Sequence, residues 1–272
     1  MRVVLISQVA PAVRGYTTFL RELGHEPVAL LCVRDGVERY GELERMLLEA
    51  PAELDVVMPS SRVQIAPLLR VFEPDLALCT GFPWKVPSEA LVVPKHGIVN
   101  GHPSLLPKYR GPIPVSWAIR NGETEFGFTF HYMDAELDTG RILGQVRIPL
   151  GDEHSWEELE PVLVAAISEI FPSVLERVEH GDPGDPQRED EATYFSLFEP
   201  EFAWIDWSRP ALEIERQVRA WRFLPMAPGD RGALTHLDGA TIRVLRVSLE
   251  PADGRAVECG DGTLWIVETE PA

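Results

Sequence analysis

Val3-Val4-Leu5-Ile6-Ser7 is a short apolar run with no polar alternation. A run of that kind reads as a strand buried on both faces. Residues 10–23 follow with helical spacing of Val13, Tyr16, Phe19, Leu20 and Leu23, and Gly24 is a natural helix stop. The rhythm then repeats. Residues 27–33 are a second apolar run, and residues 38–50 spell a short amphipathic helix through Leu43, Met46 and Leu47. Residues 55–58 read as a strand and 62–72 as a helix. Pro74-Asp75 introduces a further strand over 76–79. Continuous apolar strands alternating with helices predict an α/β fold with a doubly wound, mostly parallel sheet covered on both faces.

The chain has 272 residues, enough for one large domain or two modest ones. Its formal charge of −18 and pI near 4.8 are unusual. A polyanion such as tRNA or DNA would be repelled unless a local basic face overrode that average, so a nucleic-acid partner is disfavoured. Cys32, Cys79 and Cys259 are far apart and lack metal-ligand spacing, which fits a reduced, cytoplasmic setting without a metal. No apolar run approaches a membrane span, and the residues after Met1 are too few and too strand-like for a signal peptide.

Downstream, residues 96–100 read as a strand and 113–121 as a helix closed by Asn121-Gly122. Residues 126–133 and 141–149 alternate like two strands. Ser155-Trp156-Glu157-Glu158 has the capping-box pattern and opens a helix toward His180, in which Pro161 and Pro172 predict a kink or break. Residues 181–191 have linker composition. Ser208 is a candidate N-cap for a helix over 210–220. Four strands separated by Asp-Gly turns complete a β-rich tail. The expected division is a catalytic domain over 1–180, a linker over 181–200 and a small C-terminal domain over 201–272.

The chemistry concentrates in Asn100-Gly101-His102-Pro103-Ser104-Leu105-Leu106-Pro107 and in the later Asp134-Ala135-Glu136-Leu137-Asp138-Thr139-Gly140. If the chain is still extended at His102, the Asn100 and His102 side chains share one face. An amide can donate to a developing oxyanion, an imidazole can move a proton, and a carboxylate can orient that imidazole or take a proton through water. Together they suit attack of an amine on an activated acyl group, with no metal and no covalent nucleophile. Spacing does not choose among Asp134, Glu136 and Asp138 for the carboxylate. Gly81-Phe82-Pro83-Trp84-Lys85-Val86-Pro87 follows a predicted strand, where open α/β sheets place ligands.

The stretch from Asn100 to Gly111 resembles the Asn-x-His-x-Ser-x-Leu-Pro-x-x-x-Gly signature of the 10-formyltetrahydrofolate-dependent formyltransferases, and Leu137-Asp138-Thr139-Gly140 resembles their Asp-x-Gly loop. The resemblance implies a Rossmann-like formyltransferase domain with Asn100, His102 and Asp138 as the catalytic trio. It implies 10-formyltetrahydrofolate as co-substrate, with Phe82, Trp84, Lys85, Val86, Ala135, Glu136 and Leu137 lining its pocket. Gln8, Tyr109 and Arg110 are substrate-side candidates, Arg110 equally a structural ion-pair partner. Ile205-Asp206-Trp207-Ser208, Val218-Arg219-Ala220 and Gly260-Asp261-Gly262 resemble the methionyl-tRNA formyltransferase C-terminal domain, implying an OB-like tail.

Three features depart from the tRNA enzymes. Where they carry a basic, Gly-rich loop, residues 33–40 set Arg34 and Arg39 against Asp35 and Glu38 with no lysine. The first strand ends in Ser7-Gln8-Val9-Ala10-Pro11 rather than a Gly-Thr-Pro turn, and the C-terminal part is short and acidic. The leading expectation is therefore an N-formyltransferase acting on a small-molecule amine, such as an amino sugar nucleotide, an amino acid or a biosynthetic intermediate. Alternatives are a methionyl-tRNA formyltransferase, a non-catalytic folate- or ligand-binding protein, and transfer of a related one-carbon group. A homodimer stays open.

Overall fold

In the computed structural model, which describes residues 1–34, 40–151, 155–223 and 232–272, the first apolar run is strand β1 (Arg2–Ser7). Helix α1 (Ala10–Glu22) leads to β2 (Glu26–Leu31), and α2 (Tyr40–Glu49) to β3 (Asp55–Val57). A 3-10 turn (Arg62–Gln64) and α3 (Ile65–Phe72) precede β4 (Leu76–Thr80). A four-residue helix, α4 (Ser88–Leu91), precedes β5 (Ile98–His102). Helix α5 (Pro114–Arg120) is followed by β6 (Glu125–Tyr132) and β7 (Ile142–Pro149). Residues 35–39, which include the start of the helix expected over 38–50 and most of the loop compared with the tRNA enzymes, lie outside the described residues.

The seven strands form one sheet in the order β3-β2-β1-β4-β5-β6-β7. The pairings β1/β2, β1/β4, β2/β3 and β4/β5 are parallel, and β5/β6 is antiparallel. Val3, Val4, Leu5 and Ile6 are all at or near zero exposure, as their unbroken apolar run requires of a strand covered on both faces. One face buries Val4, Ile6, Ala29, Leu31, Ala77, Cys79 and Ile98 against Ile65, Ala66 and Leu69 of α3. The chain moves outward from β1 to β3 and then returns to β4 on the other side of β1. That reversal leaves a crevice at the carboxyl ends of the strands, the place where open α/β sheets hold ligands.

Two sequence expectations are corrected. The helix over Pro161 and Pro172 is unbroken: α6 runs Trp156–Glu179. Each proline removes one backbone bond. Burial of Leu159, Ile167, Phe171, Val174, Leu175 and Val178 along its length outweighs that loss. The opening cap is as expected, with the Glu158 N–H donating to Ser155 Oγ at 3.3 Å.

The second correction concerns α7 (Ala211–Arg222). Ser208 does not cap it, because the Ser208 hydroxyl donates to Asp206 Oδ1 at 2.6 Å. The N-cap position is Pro210, which has no side-chain acceptor. The Ala211 N–H is instead taken by Asp261 Oδ1 at 2.7 Å, from the turn between two strands fifty residues on.

Contacts group the chain into two units. One comprises residues 1–110, 127–147 and 162–193, the other 111–126, 148–161 and 194–272. The second contains α5, α7 and a four-stranded antiparallel sheet of β8 (Ala233–Leu237), β9 (Ala240–Ser248), β10 (Arg255–Cys259) and β11 (Gly262–Pro271), in the order β10-β11-β9-β8. Its core joins Ile214 and Val218 of α7 to Ala233, Val244, Val247, Leu264 and Ile266 of the sheet. Among the described residues, no helix is long and apolar enough to cross a membrane.

The distant cap gives a direct test of how α7 is held. Asp261→Ala should cost about 1 kcal/mol in urea unfolding, the usual loss on removing a helix-capping acceptor, and Ser208→Ala should cost less than half of that.

Candidate active site

Strand β5 continues through His102, two residues past the expected end, so Asn100 and His102 do lie on one face of the sheet. Gly101 between them faces the other way, and a Cβ there would come within 2.7 Å of Phe128 Cζ and 3.0 Å of the Tyr16 hydroxyl. Only glycine lets the strand settle onto that aromatic layer. Burial pushes the Tyr16 phenol well above its ordinary value, and its hydroxyl bonds to Thr80.

The antiparallel register of β5 and β6 places His131 directly across from Asn100, and Thr129 across from His102. Thr129 then holds the exit of the strand. Its hydroxyl donates to the Ser104 carbonyl at 2.7 Å and accepts from the Leu106 N–H at 3.3 Å. Gln145 Nε2 ties the same hydroxyl to the Leu106 carbonyl, at 2.8 and 2.9 Å.

His131 joins the cluster as a side chain that the sequence reading did not single out. It is 1% exposed, and its Nδ1 lies 2.8 Å from the Tyr132 carbonyl. A carbonyl can only accept, so the proton of the neutral ring sits on Nδ1. That leaves Nε2 as an acceptor, and Asn100 Nδ2 lies 3.1 Å from it. The pairing sets the amide orientation of Asn100: its NH2 group faces His131, with one hydrogen left over for a ligand. Burial lowers the His131 pKa to about 4, against an opposing pull from Asp138, so the ring is neutral at working pH. In the sequence, the only signal was a histidine on the alternating strand before the Asp-rich loop.

His102 is 5% exposed, with Nε2 2.9 Å from the Tyr109 carbonyl. By the same logic Nε2 carries the proton, and Nδ1 turns to Asp138, 3.7 Å from its Oδ1. The same Asp138 oxygen is 3.8 Å from His131 Nε2. The two loops therefore do bring Asn100, His102 and Asp138 together, with His131 as a fourth member. Asp134 is turned elsewhere: its Oδ1 accepts from the Glu136 N–H at 3.1 Å and the Thr139 hydroxyl at 2.6 Å, shaping the loop. Asp138 itself has a φ of 58°, an unusual conformation for a residue with a side chain.

A small cleft adjoins this cluster and is lined by Lys85, Val86, His131, Met133, Asp134, Glu136, Leu137 and Asp138. Lys85, Val86, Glu136 and Leu137 were expected there. Phe82 and Trp84 instead pack edge to face, 6.1 Å apart, against the apolar core below the loop. Ala135 belongs to the loop but not to the lining. Val86, Met133 and Leu137 offer apolar walls to a flat ring, and Lys85 lies 3.8 Å from Glu136 across the two loops. Three apolar side chains beside five polar or charged ones suit a flat, heteroatom-rich ring such as a pterin.

The substrate-side candidates are largely engaged within the protein. The Gln8 amide bonds both backbone groups of Val33, at 2.9 and 3.0 Å. The buried Arg110 guanidinium is forked onto Glu189 at 2.6 and 3.0 Å and also reaches Gln187, which supports its structural alternative. Tyr109 contributes its carbonyl to His102 and has a φ of 58°.

Because His131 is buried neutral and the unfolded ring titrates near pH 6.5, its stabilising contribution is complete above about pH 6.5 and is lost as pH falls toward 4. Unfolding free energy should fall across that window by up to about 1.4 kcal/mol per pH unit from this group. His131→Asn should flatten the slope by that share. His25, whose pKa burial also lowers, keeps its own contribution in both proteins.

Comparison with known proteins identifies the family. Residues 47–175 match the formyl transferase family and residues 198–272 match the formyl transferase C-terminal domain. Methionyl-tRNA formyltransferase of Geobacter sulfurreducens is 34% identical over 215 residues, 74% of this chain and 66% of that protein. The Burkholderia mallei enzyme of the same name is 31% identical over 252 residues, 86% of this chain and 75% of that one. The chain thus spans about two thirds of the length of the first of these relatives. Among solved structures, HypX from Aquifex aeolicus in complex with tetrahydrofolic acid shares the fold with a TM-score of 0.72 at 20% identity, over 99% of this chain and 44% of that one. The sugar 3N-formyl transferase WlaRD does so with a TM-score of 0.70 at 18% identity, over 99% of this chain and 97% of that one. With both halves matched and the signature residues gathered at one strand end, the chain belongs to the formyl transferase family, the 10-formyltetrahydrofolate-dependent class that its sequence resembles.

Proposed function

We propose that the protein is an N-formyltransferase that moves the formyl group of 10-formyltetrahydrofolate to the amine of a small molecule. The observation that carries formyl transfer is the convergence of Asn100, His102 and Asp138 beside a cleft with apolar walls. Val86, Met133 and Leu137 would hold the folate ring, which supplies an activated formyl group when bound. The free N–H of Asn100 donates to the formyl oxygen as it gains negative charge. The attacking nitrogen gains positive charge and must lose a proton. With Nε2 committed to the Tyr109 carbonyl, His102 accepts that proton on Nδ1, where Asp138 faces it and stabilises the imidazolium, and returns it to the departing tetrahydrofolate nitrogen as the bond from the formyl carbon to that nitrogen breaks.

The choice of a small acceptor rests on charge. Residues 198–272 contain eight arginines, no lysine and thirteen carboxylates. Five of those arginines are paired with carboxylates of the same unit: Arg209 with Glu213, Arg219 with Glu215, Arg222 with Glu268, Arg243 with Glu270 and Arg255 with Asp238. Binding a tRNA backbone requires cations that exchange counterions for phosphates, and cations already neutralised contribute little. A second reading, methionyl-tRNA formyltransferase, is favoured by the names of the relatives that are 31–37% identical.

A panel of small amines, amino sugar nucleotides among them, assayed with 10-formyltetrahydrofolate should yield a formylated product. Asn100→Ala should lower kcat by about 100-fold or more, the usual loss of an oxyanion donor. His102→Ala should cost at least as much. Turnover of initiator methionyl-tRNA with steep salt dependence, and of none of the small amines, would establish the second reading instead.

A further inference from the structure

Residues 185–193, of linker composition, run against the active-site loops and are bonded to them at three places. Asp185 exchanges two backbone bonds of 2.8 Å with Ile142, beside the Asp138 loop. At the far end, the Thr193 carbonyl accepts from the Arg110 N–H at 2.9 Å, and the Thr193 hydroxyl accepts from the Tyr109 N–H at 2.8 Å. Between them stands Gln187. Its Nε2 donates to the carbonyls of Asp138 at 2.9 Å and Gly140 at 2.7 Å, on both sides of the same turn. Its Oε1 accepts from Arg110 Nε at 3.2 Å and Nη2 at 2.8 Å.

The chemistry of these partners admits one orientation of the amide. A guanidinium has donors only and a backbone carbonyl accepts only, so the Gln187 oxygen must face Arg110 and its NH2 group must face the Asp138 turn. Arg110 is in turn forked onto Glu189. The Asp138 turn has reason to need such a brace. Asp138 is in the left-handed region with a side chain present. Gly140 is pressed so closely on the Tyr132 carbonyl that a Cβ would lie 1.7 Å from its oxygen. On the other side of the catalytic pair, Tyr109 is also left-handed, and its carbonyl is the one that fixes His102.

We infer that Gln187 is a positioning residue for formyl transfer: oriented by the Arg110–Glu189 pair, it holds the Asp138 turn so that the Asp138 carboxylate faces His102 Nδ1. The segment 185–193 thereby joins the two halves of the proton-handling pair, gripping the Asp138 turn through Gln187 and the Tyr109 carbonyl's residue through Thr193. This rests on the formyl-transfer reading of the site, and it adds a residue that does not itself line the cleft and reaches the site only through the backbone of the Asp138 turn. Its effect must therefore pass through Asp138.

The test is a double-mutant cycle in the full chain. Gln187→Met keeps the side-chain length and removes both hydrogen-bonding functions. It should lower kcat by about 10- to 100-fold, the scale of a misplacement near 1 Å, with the dissociation constant for 5-formyltetrahydrofolate within twofold of the unmutated protein. In the Asp138→Asn background, where no carboxylate remains to be positioned, Gln187→Met should change kcat by less than twofold. Equal losses in both backgrounds, or full activity of Gln187→Met alone, would overturn the inference. The 15N shifts of the His102 ring supply a readout that does not need turnover. Gln187→Met should move the Nδ1 resonance in the same direction as Asp138→Asn does, and an unmoved Nδ1 would count against the inference even if no amine proved to be a substrate. An absence of turnover in the unmutated protein with every small amine and with methionyl-tRNA, beside the expected Nδ1 shifts, would overturn the formyl-transfer reading alone.

Discussion

The hydrogen bond between Asn100 and His131 is the constraint on which the site depends. An asparagine amide has two faces of nearly equal shape, and only one presents a donor to an oxyanion. His131 decides between them because its own proton is committed to the Tyr132 carbonyl, leaving a lone pair toward Asn100. Burial keeps the ring neutral and so keeps that lone pair available. The fold supplies the pairing through strand register: a one-residue slip of β6 against β5 would turn His131 to the opposite face and leave Asn100 free to flip.

The same device recurs at His102, where the Tyr109 carbonyl fixes the tautomer and leaves Nδ1 to face Asp138. Backbone carbonyls, which cannot titrate, thus set the protonation pattern of both rings. The two imidazoles share one carboxylate oxygen, but their surroundings differ: His131 stays neutral and faces an amide, while His102 turns Nδ1 to the carboxylate, the atom that takes up a proton in the proposed reaction. The turn that carries this carboxylate is shaped by the left-handed backbone of Asp138 and by the close approach of Gly140 to the Tyr132 carbonyl.

Much of this was legible in the sequence. The unbroken apolar runs at Val3–Ile6 and Leu76–Cys79 spelled strands covered on both faces, and the alternation with helices spelled the parallel order, because buried strands tolerate no polar interruption. Asn100 and His102 were legible by their period of two. What escaped was long-range. His131 is one more alternating residue until register sets it opposite Asn100. Gln187 lies in a stretch whose composition signals a linker, and only folding places it under the Asp138 turn. Pro161 and Pro172 suggested a break that burial overrode, and Ser208 had the right spacing for a cap but found a nearer partner in Asp206. In each case a tertiary contact outweighed a local preference.

The central claim is that a neutral His131, protonated at Nδ1, holds the Asn100 amide in its donating orientation. It is tested most directly by 15N-detected NMR of the histidine rings between pH 4 and 8. The account predicts that His131 at pH 7 shows a protonated Nδ1 and an unprotonated Nε2, and that this ring takes up a second proton only near pH 4. A His131 ring that is protonated at Nε2 at pH 7, whether as the other tautomer or as the cation, would contradict it.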